Sequence, residues 1–221
     1  MTAARSPQDW LLFLLLSAMW ASAFALTKIA VDGLPAVVII PGRLITGALI
    51  LYGFMLARGE KFPPFSHRSA WLTMLAIGTI GTAAPFYLIT LGQKTIDASL
   101  AALLISGAPL FVAGMAHLRF EDEKITPQKV LGIAVGFAGV AVLLGPDAMK
   151  GFGNSDLIAQ LLVLGGAFCY AINTIIARGA PPISPLVLPT GFLTIAALAS
   201  LPMLALADWS EVDAGWPQIV S

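Results

Sequence analysis

The sequence contains little charge and almost no cysteine. Only 11% of its 221 residues are Asp, Glu, Lys or Arg, whereas ordinary soluble domains carry roughly 25%. The single cysteine, Cys169, rules out an intramolecular disulfide, and the two histidines stand in no spacing typical of a metal site. No run of basic residues is long enough to predict a nucleic-acid partner. These absences exclude disulfide scaffolds, zinc modules and basic nucleic-acid-binding domains.

Motifs for catalysis are missing as well. The chain contains no recognisable pairing of a nucleophile with a base and no glycine-rich phosphate loop. The missing phosphate loop argues against a protein that is driven directly by ATP. We therefore expect a chain that is not an enzyme and that holds neither a cofactor nor a metal.

Apolar sequence, by contrast, is abundant: 58% of the residues are hydrophobic and the mean hydropathy is +0.88. Seven apolar segments have lengths suited to the hydrocarbon core of a bilayer, which is about 30 Å thick. Inside a bilayer the backbone has no water to bond, and the segments lack the alternation of barrel strands, so each is expected to be a helix. The sequence thus predicts an all-α, polytopic transmembrane helical bundle in a lipid bilayer. The approximate spans are 10–31, 35–57, 71–91, 98–118, 130–144, 157–177 and 186–207.

The first span resembles a secretory signal, because Arg5 precedes an apolar run that reaches Ala21-Ser22-Ala23. The apolar run continues past these small residues, and bulky Trp20 stands just before them. We therefore expect the first span to stay uncleaved.

Residues 98–146 read as a transmembrane hairpin, in which uncharged residues 98–118 and glycine-rich residues 130–144 flank a charged linker. Glu121, Asp122 and Glu123 in that linker suggest a catalytic carboxylate cluster at first sight. A solvated loop explains them more simply. Thr126 followed by Pro127 predicts the start of the second helix.

The distribution of Lys and Arg predicts the orientation, since cytoplasmic loops carry the excess of positive residues. One side of the bundle receives eight of them and the other side three. The eight are Arg5, Arg58, Lys61, Arg68, Arg119, Lys124, Lys129 and Arg178, and the three are Lys28, Lys94 and Lys150. We expect a multi-pass protein of the inner (plasma) membrane whose N-terminus is cytoplasmic.

An internal repeat appears when the chain is shifted against itself by 150 residues, which aligns helix-end charges and prolines. A five-span unit is odd, so its second copy would enter the membrane inverted, as in many secondary transporters. This predicts a first repeat at 1–146, an external loop at 147–156, and a partial second repeat of two helices and an acidic external tail at 157–221. Three further spans would complete a ten-span plan. The aligned pairs are Trp20 with Tyr170, Ala21 with Ala171, Lys28 with Arg178 and Pro35 with Pro185.

Residues 84–144 resemble the core of the EamA-type drug/metabolite transporters. The shared pattern is a helix with a central proline, then Glu, a basic residue, an aliphatic residue and Thr, then an apolar helix containing Gly-Val. In this sequence these residues are Pro109, Glu123, Lys124, Ile125, Thr126, Gly139 and Val140, and the opening residues 20–24 (WASAF) and Arg43 are also similar to that family.

The resemblance implies a ten-span inner-membrane transporter with both termini cytoplasmic, whereas this chain ends outside after seven spans. It implies secondary export or exchange of small metabolites, amino-acid-like or related, by alternating access, and pairing of Glu123 with Lys124 or another loop charge. The energy source is left open between a proton and a counter-solute, and a homo-oligomer is left open too.

Arg43 is the one charge well inside a predicted span. A central arginine costs roughly 2.5–3.5 kcal/mol on insertion scales, so its presence asks for a role. A guanidinium suits a substrate carboxylate, because it can donate two parallel hydrogen bonds. The alternative is structural: Arg43 extends toward the interface or caps carbonyls of a neighbouring helix.

Aromatic and amide side chains in the spans form the remaining candidates for a substrate pocket. Aromatic rings supply apolar walls, and a hydroxyl or amide supplies hydrogen bonds to a polar solute. Packing against lipid or other helices is the alternative for each ring, and an interhelical hydrogen bond is the alternative for the amide. These candidates are Trp20, Phe24, Phe86, Tyr87, Tyr170 and Asn173.

Pro85 and Pro109 each remove a backbone donor within a span and are predicted to kink it, as a hinge or as a tolerated bend. Small residues at near-helical spacing are predicted to let helices approach closely. These are Gly78, Gly81, Gly132, Gly136 and Gly139.

Two other functions remain as alternatives to transport. A non-transporting or truncated membrane partner would fit the incomplete second repeat. An intramembrane enzyme would need paired catalytic polar groups within the spans, which Arg43 and Asn173 alone do not supply. No Asp or Glu lies inside the seven spans, so they offer no acidic proton relay.

Overall fold

A computed structural model describes residues 6–150 and 157–204 of the chain, with only the backbone described for residue 32 and for most of residues 140–150. Within these residues the chain is helical and forms no strand. The predicted all-α transmembrane bundle is therefore confirmed. In chain order the helices are α1 (Pro7–Gly33), α2 (Ala36–Ala57), α3 (Arg68–Gly78), α4 (Ala84–Gln93), α5 (Ala98–Ile105), α6 (Ala108–Arg119), α7 (Pro127–Lys150), α8 (Leu157–Arg178) and α9 (Val187–Leu204).

Six stretches in the described part of the chain are long and apolar enough to cross a membrane. They correspond to six of the seven predicted spans, with the α3–α4 stretch (Arg68–Gln93) and the α5–α6 stretch (Ala98–Arg119) each counted as one. The remaining predicted span, 130–144, lies within α7. Beyond residue 139 the structure describes the backbone of α7 but few of its side chains. Of the predicted external loop, 147–156, residues 147–150 continue α7, and the rest lies outside the described residues, as does the predicted acidic tail.

Local chemistry explains where the helices begin. Ser6 caps α1: its hydroxyl accepts the Asp9 N–H at 3.3 Å, and the Asp9 carboxylate accepts the Ser6 N–H at 2.8 Å. α7 begins at Pro127 as predicted, and the Thr126 hydroxyl accepts the N–H of Lys129 at 3.3 Å. Such caps satisfy amide groups that have no partner inside the helix.

Both predicted kink prolines follow an interruption of a span. A π-helical turn, Thr79–Ala83, separates α3 from α4, and Pro85 stands in the first turn of α4. Ser106 and Gly107 separate α5 from α6, and Pro109 stands in the first turn of α6. A proline has no N–H to donate, so it is tolerated best where the regular hydrogen-bond pattern is already broken. The hinge role of these prolines stays a prediction.

The core joins α2, α3, α4 and α5 to α8 and α9. α2 and α9 run antiparallel, because Ile40 and Ala48 of α2 pack with Ala196 while Met55 at the far end packs with Val187. α4 and α8 meet through small residues: a Cβ added to Gly166 would lie 2.6 Å from Ile89 Cγ1. Helices in a bilayer gain stability from such close packing, since lipid supplies no hydrophobic drive between them.

The remaining surface is strongly apolar. On the first half of α1, every residue from Trp10 to Leu16 is more than half exposed. An exposed apolar area of this size is unfavourable in water but suits contact with acyl chains.

The predicted packing glycines differ in their surroundings. A Cβ on Gly78 would lie 2.6 Å from the Phe192 carbonyl oxygen of α9, and one on Gly81 would lie 2.8 Å from Asn173 Cβ of α8. On α7, a Cβ on Gly132, Gly136 or Gly139 would meet no described atom within 4 Å. Close helix approach at α7 therefore stays a prediction.

The substitution Gly78→Ala should lower the free energy of unfolding by about 1–3 kcal/mol, because the added methyl group meets backbone that cannot move aside without separating α3 from α9. Gly136→Ala is the matched control. It should be neutral or slightly stabilising, since alanine favours a helix over glycine. Thermal unfolding of the purified variants in one detergent compares them, and an equal loss at Gly136 would mean that α7 packs closely there.

Candidate functional site

A cavity of about 240 Å³ lies between α1, α2, α4 and α8. α1 contributes one face along about three turns, α2 contributes a single charged side chain, and α4 and α8 close the cavity mainly with aromatic and polar groups. Most of the wall is apolar. The lining residues are Leu16, Met19, Trp20, Ala23, Phe24 and Thr27 of α1, Arg43 of α2, Phe86, Ile89, Thr90 and Gln93 of α4, and Tyr170 of α8.

The structure brings five of the seven predicted substrate-binding residues together in this cavity: Trp20, Phe24, Arg43, Phe86 and Tyr170. They come from four helices, so only the folded bundle makes them neighbours.

The other two predicted residues do not line the cavity. Tyr87 follows Phe86 on α4 and is therefore turned by about 100° around the helix. It packs against the α2–α9 core, and its hydroxyl is buried without a hydrogen-bond partner. Asn173 lies against the π-helical turn, where its Cβ is 2.8 Å from the place a Gly81 Cβ would occupy.

Arg43 is held by two groups of the cavity wall. Its Nη1 donates a 2.8 Å hydrogen bond to Thr27 Oγ1, and its guanidinium carbon lies 5.0 Å from the centre of the Phe86 ring. Among the described residues, no carboxylate forms an ion pair with Arg43. A hydroxyl and an aromatic face stabilise a cation without neutralising it. The cavity therefore carries a net positive group that can still receive an anion.

Sequence reasoning did not identify Thr27, Thr90 and Gln93 as candidates. Thr27 is buried and its hydroxyl donates to the Ala23 carbonyl at 2.7 Å, while Thr90 is 1% exposed and Gln93 is 0% exposed. A signal was present: Trp20, Phe24 and Thr27 recur at the spacing of one helix face, as do Phe86, Thr90 and Gln93.

Trp20 and Tyr170 meet edge to face, with ring centres 6.0 Å apart and planes at 89°. These residues were aligned with each other by the predicted repeat. Tyr170 also lines a second cavity of about 490 Å³, whose wall includes Pro109, Thr174 and Arg178. Tyr170 therefore stands between the two cavities.

Ion pairs connect the α6–α7 linker to the end of α8. Arg178 binds Asp122 at 2.6 Å and Glu123 at 2.7 Å, and Lys129 binds Glu123 at 2.8 Å. The Arg178 guanidinium also lies 4.4 Å from the centre of the Phe120 ring. The pairs with Lys129 and then with Arg178 lower the pKa of Glu123.

The partners of Glu123 are therefore Lys129 and Arg178, while Lys124 Nζ donates to the His117 carbonyl oxygen at 3.4 Å. The cluster places the ends of α6 and α8 and the start of α7 on one side of the bundle, as the alternation of spans requires. In the described ranges, no three His, Cys, Asp or Glu side chains are grouped so as to hold a metal ion.

The chain matches the model of the EamA-like transporter family over residues 9–145. It is 25% identical to the inner membrane transporter YedA of Escherichia coli strain K12 over 176 aligned residues. The aligned region covers 79% of this chain and 53% of that protein. It is 28% identical to the transporter YvbV of Bacillus subtilis, over 75% of this chain and 52% of that one.

A third relative is the probable terminal-alkyne amino-acid exporter of Streptantibioticus cattleyicolor, 28% identical over 72% of this chain and 52% of that protein. The chain thus spans about half the length of the curated relatives it matches. No solved structure matches the chain.

The Glu123 pairs predict a pH dependence of stability. A carboxyl group whose folded pKa is lowered stabilises the folded state above its ordinary pKa of 4.5, and this contribution is lost as the pH falls through the folded pKa. The difference in Tm between wild type and Glu123→Gln should therefore be constant above about pH 5 and shrink at lower pH. Thermal unfolding across a pH series measures it.

Glu121→Gln is the control, because Glu121 forms no ion pair among the described residues. Its difference from wild type should stay small at each pH. If the Glu123 difference stayed constant down to about pH 3, its charge would not be the cause.

Proposed function

The chain belongs to the EamA-like transporter family, and on that premise we propose that it forms the substrate-binding half of a secondary transporter for small metabolites that carry a carboxylate. The observation that carries the proposal is Arg43, an arginine in an apolar cavity between helices with no acidic partner in the described part of the chain. Placing such a charge in a membrane costs free energy, and charged residues within membrane spans typically lie on a substrate or ion path.

A carboxylate would complete the hydrogen bonds of the guanidinium. Arginine presents several donors in a planar fork, and Thr27 takes one of them. The Phe86 face supports the cation on one side and leaves its edge for a planar anion. An anionic substrate would supply the counter-charge that the cavity wall does not provide, and its binding would offset the free-energy cost of placing Arg43 among apolar groups.

The rest of the wall suits an apolar substrate body. Leu16, Met19 and Ile89 are aliphatic, and Trp20 and Phe24 add aromatic faces. One relative is named as a probable amino-acid exporter, which supports an amino-acid-like solute over a dicarboxylate. A cavity of about 240 Å³ is small by the standard of drug-sized sites.

Alternating access would use the discontinuities of the spans. The π-helical turn before Pro85 and the break before Pro109 are places where α4 and α6 can change direction. Tyr170, between the two cavities, would act as the barrier that opens, and the Arg178 ion pairs would hold one side closed in the present state.

The proposed architecture is that of two five-helix units related by inversion, with 1–146 as the first and 157–221 as part of the second. The contact between Trp20 and Tyr170 supports it, since residues near a two-fold axis meet their own equivalents. The energy source, whether a proton or a counter-solute, is left open, and so is assembly as a homo-oligomer.

Replacing the charge tests the substrate class. In proteoliposomes loaded with an unlabelled neutral amino acid, counterflow of the labelled one should fall at least tenfold in Arg43→Leu, because the loss of a charged hydrogen bond to a buried anion is large. Arg43→Lys should retain part of the flux, since a lysine keeps the charge but not the fork.

Arg58→Leu is the matched control, since Arg58 follows the last residue of the same helix and lies away from the cavity. It should keep the wild-type rate. Flux that survives in Arg43→Leu would contradict the anion site. No flux of any carboxylate solute in the wild type would favour a non-transporting membrane partner.

The proposed orientation places the α2–α3 linker in the cytoplasm and the α4–α5 turn outside. In a Cys169→Ala background, a membrane-impermeant maleimide added to intact cells should label Thr95→Cys and should label Ser66→Cys only after the cells are opened. Both positions are exposed in the structure. The reverse pattern would overturn the orientation.

A further inference from the structure

We propose that Gln93 recognises the ammonium group of the substrate, so that the cavity selects zwitterionic amino acids over carboxylic acids that lack an amino group. This inference rests on the proposed function, because it assumes that Arg43 binds the carboxylate of the same molecule. It adds a second polar contact at a residue that has no assigned role.

The amide of Gln93 is buried and only half satisfied. The side chain is 0% exposed, and its Oε1 has no hydrogen-bond partner. Its Nε2 donates to the Phe24 carbonyl oxygen of α1 at 3.4 Å. A buried acceptor without a donor is rare and unfavourable in a folded protein, and an ammonium group of a ligand is one group that could supply the donor.

The backbone fixes the position of this amide. Gln93 is the last residue of α4, and its carbonyl oxygen accepts a 3.1 Å hydrogen bond from Lys28 Nζ. Lys28 thus connects the end of α4 to α1. The side chain of Gln93 lies in the cavity wall.

Arg43 of α2 and Gln93 of α4 are both hydrogen-bonded to α1, at positions less than one helical turn apart. Arg43 is bonded to Thr27, and the Gln93 amide is bonded to the carbonyl of Phe24, three residues earlier on α1. Positions three residues apart on a helix are about 5–6 Å from each other. An α-amino acid carries its carboxylate and its ammonium group on the same carbon, so one molecule can reach both groups.

The chemistry of the cavity favours a zwitterion over either single charge. None of the residues that line it is a carboxylate, so an amine without a carboxylate would face Arg43 with no compensating charge. A carboxylic acid without an amino group would satisfy Arg43 but leave Gln93 Oε1 without a donor. A neutral amide oxygen accepts from an ammonium group and does not form an ion pair with Arg43 that would block the site.

Competition between two solutes with one carbon skeleton tests the proposal. Counterflow of labelled L-leucine is measured in proteoliposomes that contain the purified full-length protein, with unlabelled L-leucine or 4-methylpentanoate, its analogue without the amino group, as competitor. In the wild type, L-leucine should compete roughly tenfold or more better, because a site that hydrogen-bonds a donor rejects the analogue lacking it. In Gln93→Met, which keeps the volume but lacks the acceptor, the two competitors should become nearly equal.

Gln128→Met, at an exposed position in the first turn of α7, is the control and should keep the wild-type preference. If Gln93→Met does not reconstitute, Gln93→Asn replaces it, and the shortened amide should reduce the preference. A variant that carries leucine and keeps the full preference would overturn the role of Gln93 while the proposed function stands.

Equal competition by both solutes in the wild type would also overturn the inference. Wild-type flux of some other carboxylate that depends on Arg43, with none of leucine, would overturn the zwitterion site and leave the proposed transport in place. Absence of Arg43-dependent flux for all solutes would instead remove the proposed function.

Discussion

The close contact between α4 and α8 is the interaction on which the site depends. A Cβ on Gly92 would lie 2.5 Å from Val163 Cγ2, and one on Gly166 would lie 2.6 Å from Ile89 Cγ1. The two helices touch because each places a glycine opposite a branched side chain of the other. In lipid, where apolar groups gain nothing from leaving water, such contacts supply much of the stability between helices. They also fix Phe86 and Gln93 on one side of the cavity and Tyr170 on the other.

Helix packing therefore forms the cavity. The cavity is polar where the packed side chains leave a charge or a hydrogen-bond acceptor without a partner. Thr27 and Phe86 stabilise the Arg43 guanidinium, yet neither carries a negative charge. The Gln93 amide donates one hydrogen bond through Nε2, and its Oε1 accepts none from the described residues. At the other end of α8, Arg178 finds two carboxylates, Asp122 and Glu123. The contrast separates Arg178, a cation paired within the chain, from Arg43, a cation without an acidic partner among the described residues and the one that we propose for the substrate.

Much of this arrangement could be predicted from the sequence, because the length and hydropathy of a span and a single charge within it can be recognised in a short stretch of sequence. Arg43 stood out as the one charge well inside a span, and Trp20 and Tyr170 stood out as aligned aromatics. Gln93 was missed because the predicted third span stopped at residue 91, which cut short the helix face that Gln93 shares with Phe86 and Thr90. In the structure α4 extends to Gln93, whose carbonyl oxygen accepts a hydrogen bond from Lys28. A contact between residues 65 positions apart is not encoded in local periodicity.

Tyr87 shows the same limit within a single turn. Hydropathy treats Phe86 and Tyr87 as equivalent aromatics in one span, but a helix turns by about 100° per residue, so only one of two neighbours can face a given cavity. Both rings pack against the core that α2 and α9 form, but only Phe86 also lies beneath Arg43 and lines the cavity. The tertiary packing that buries the tyrosine therefore also places the ring that supports the charge. A site of this kind is specified by the core around it, so changes in the α2–α9 packing should alter substrate recognition without touching the cavity wall.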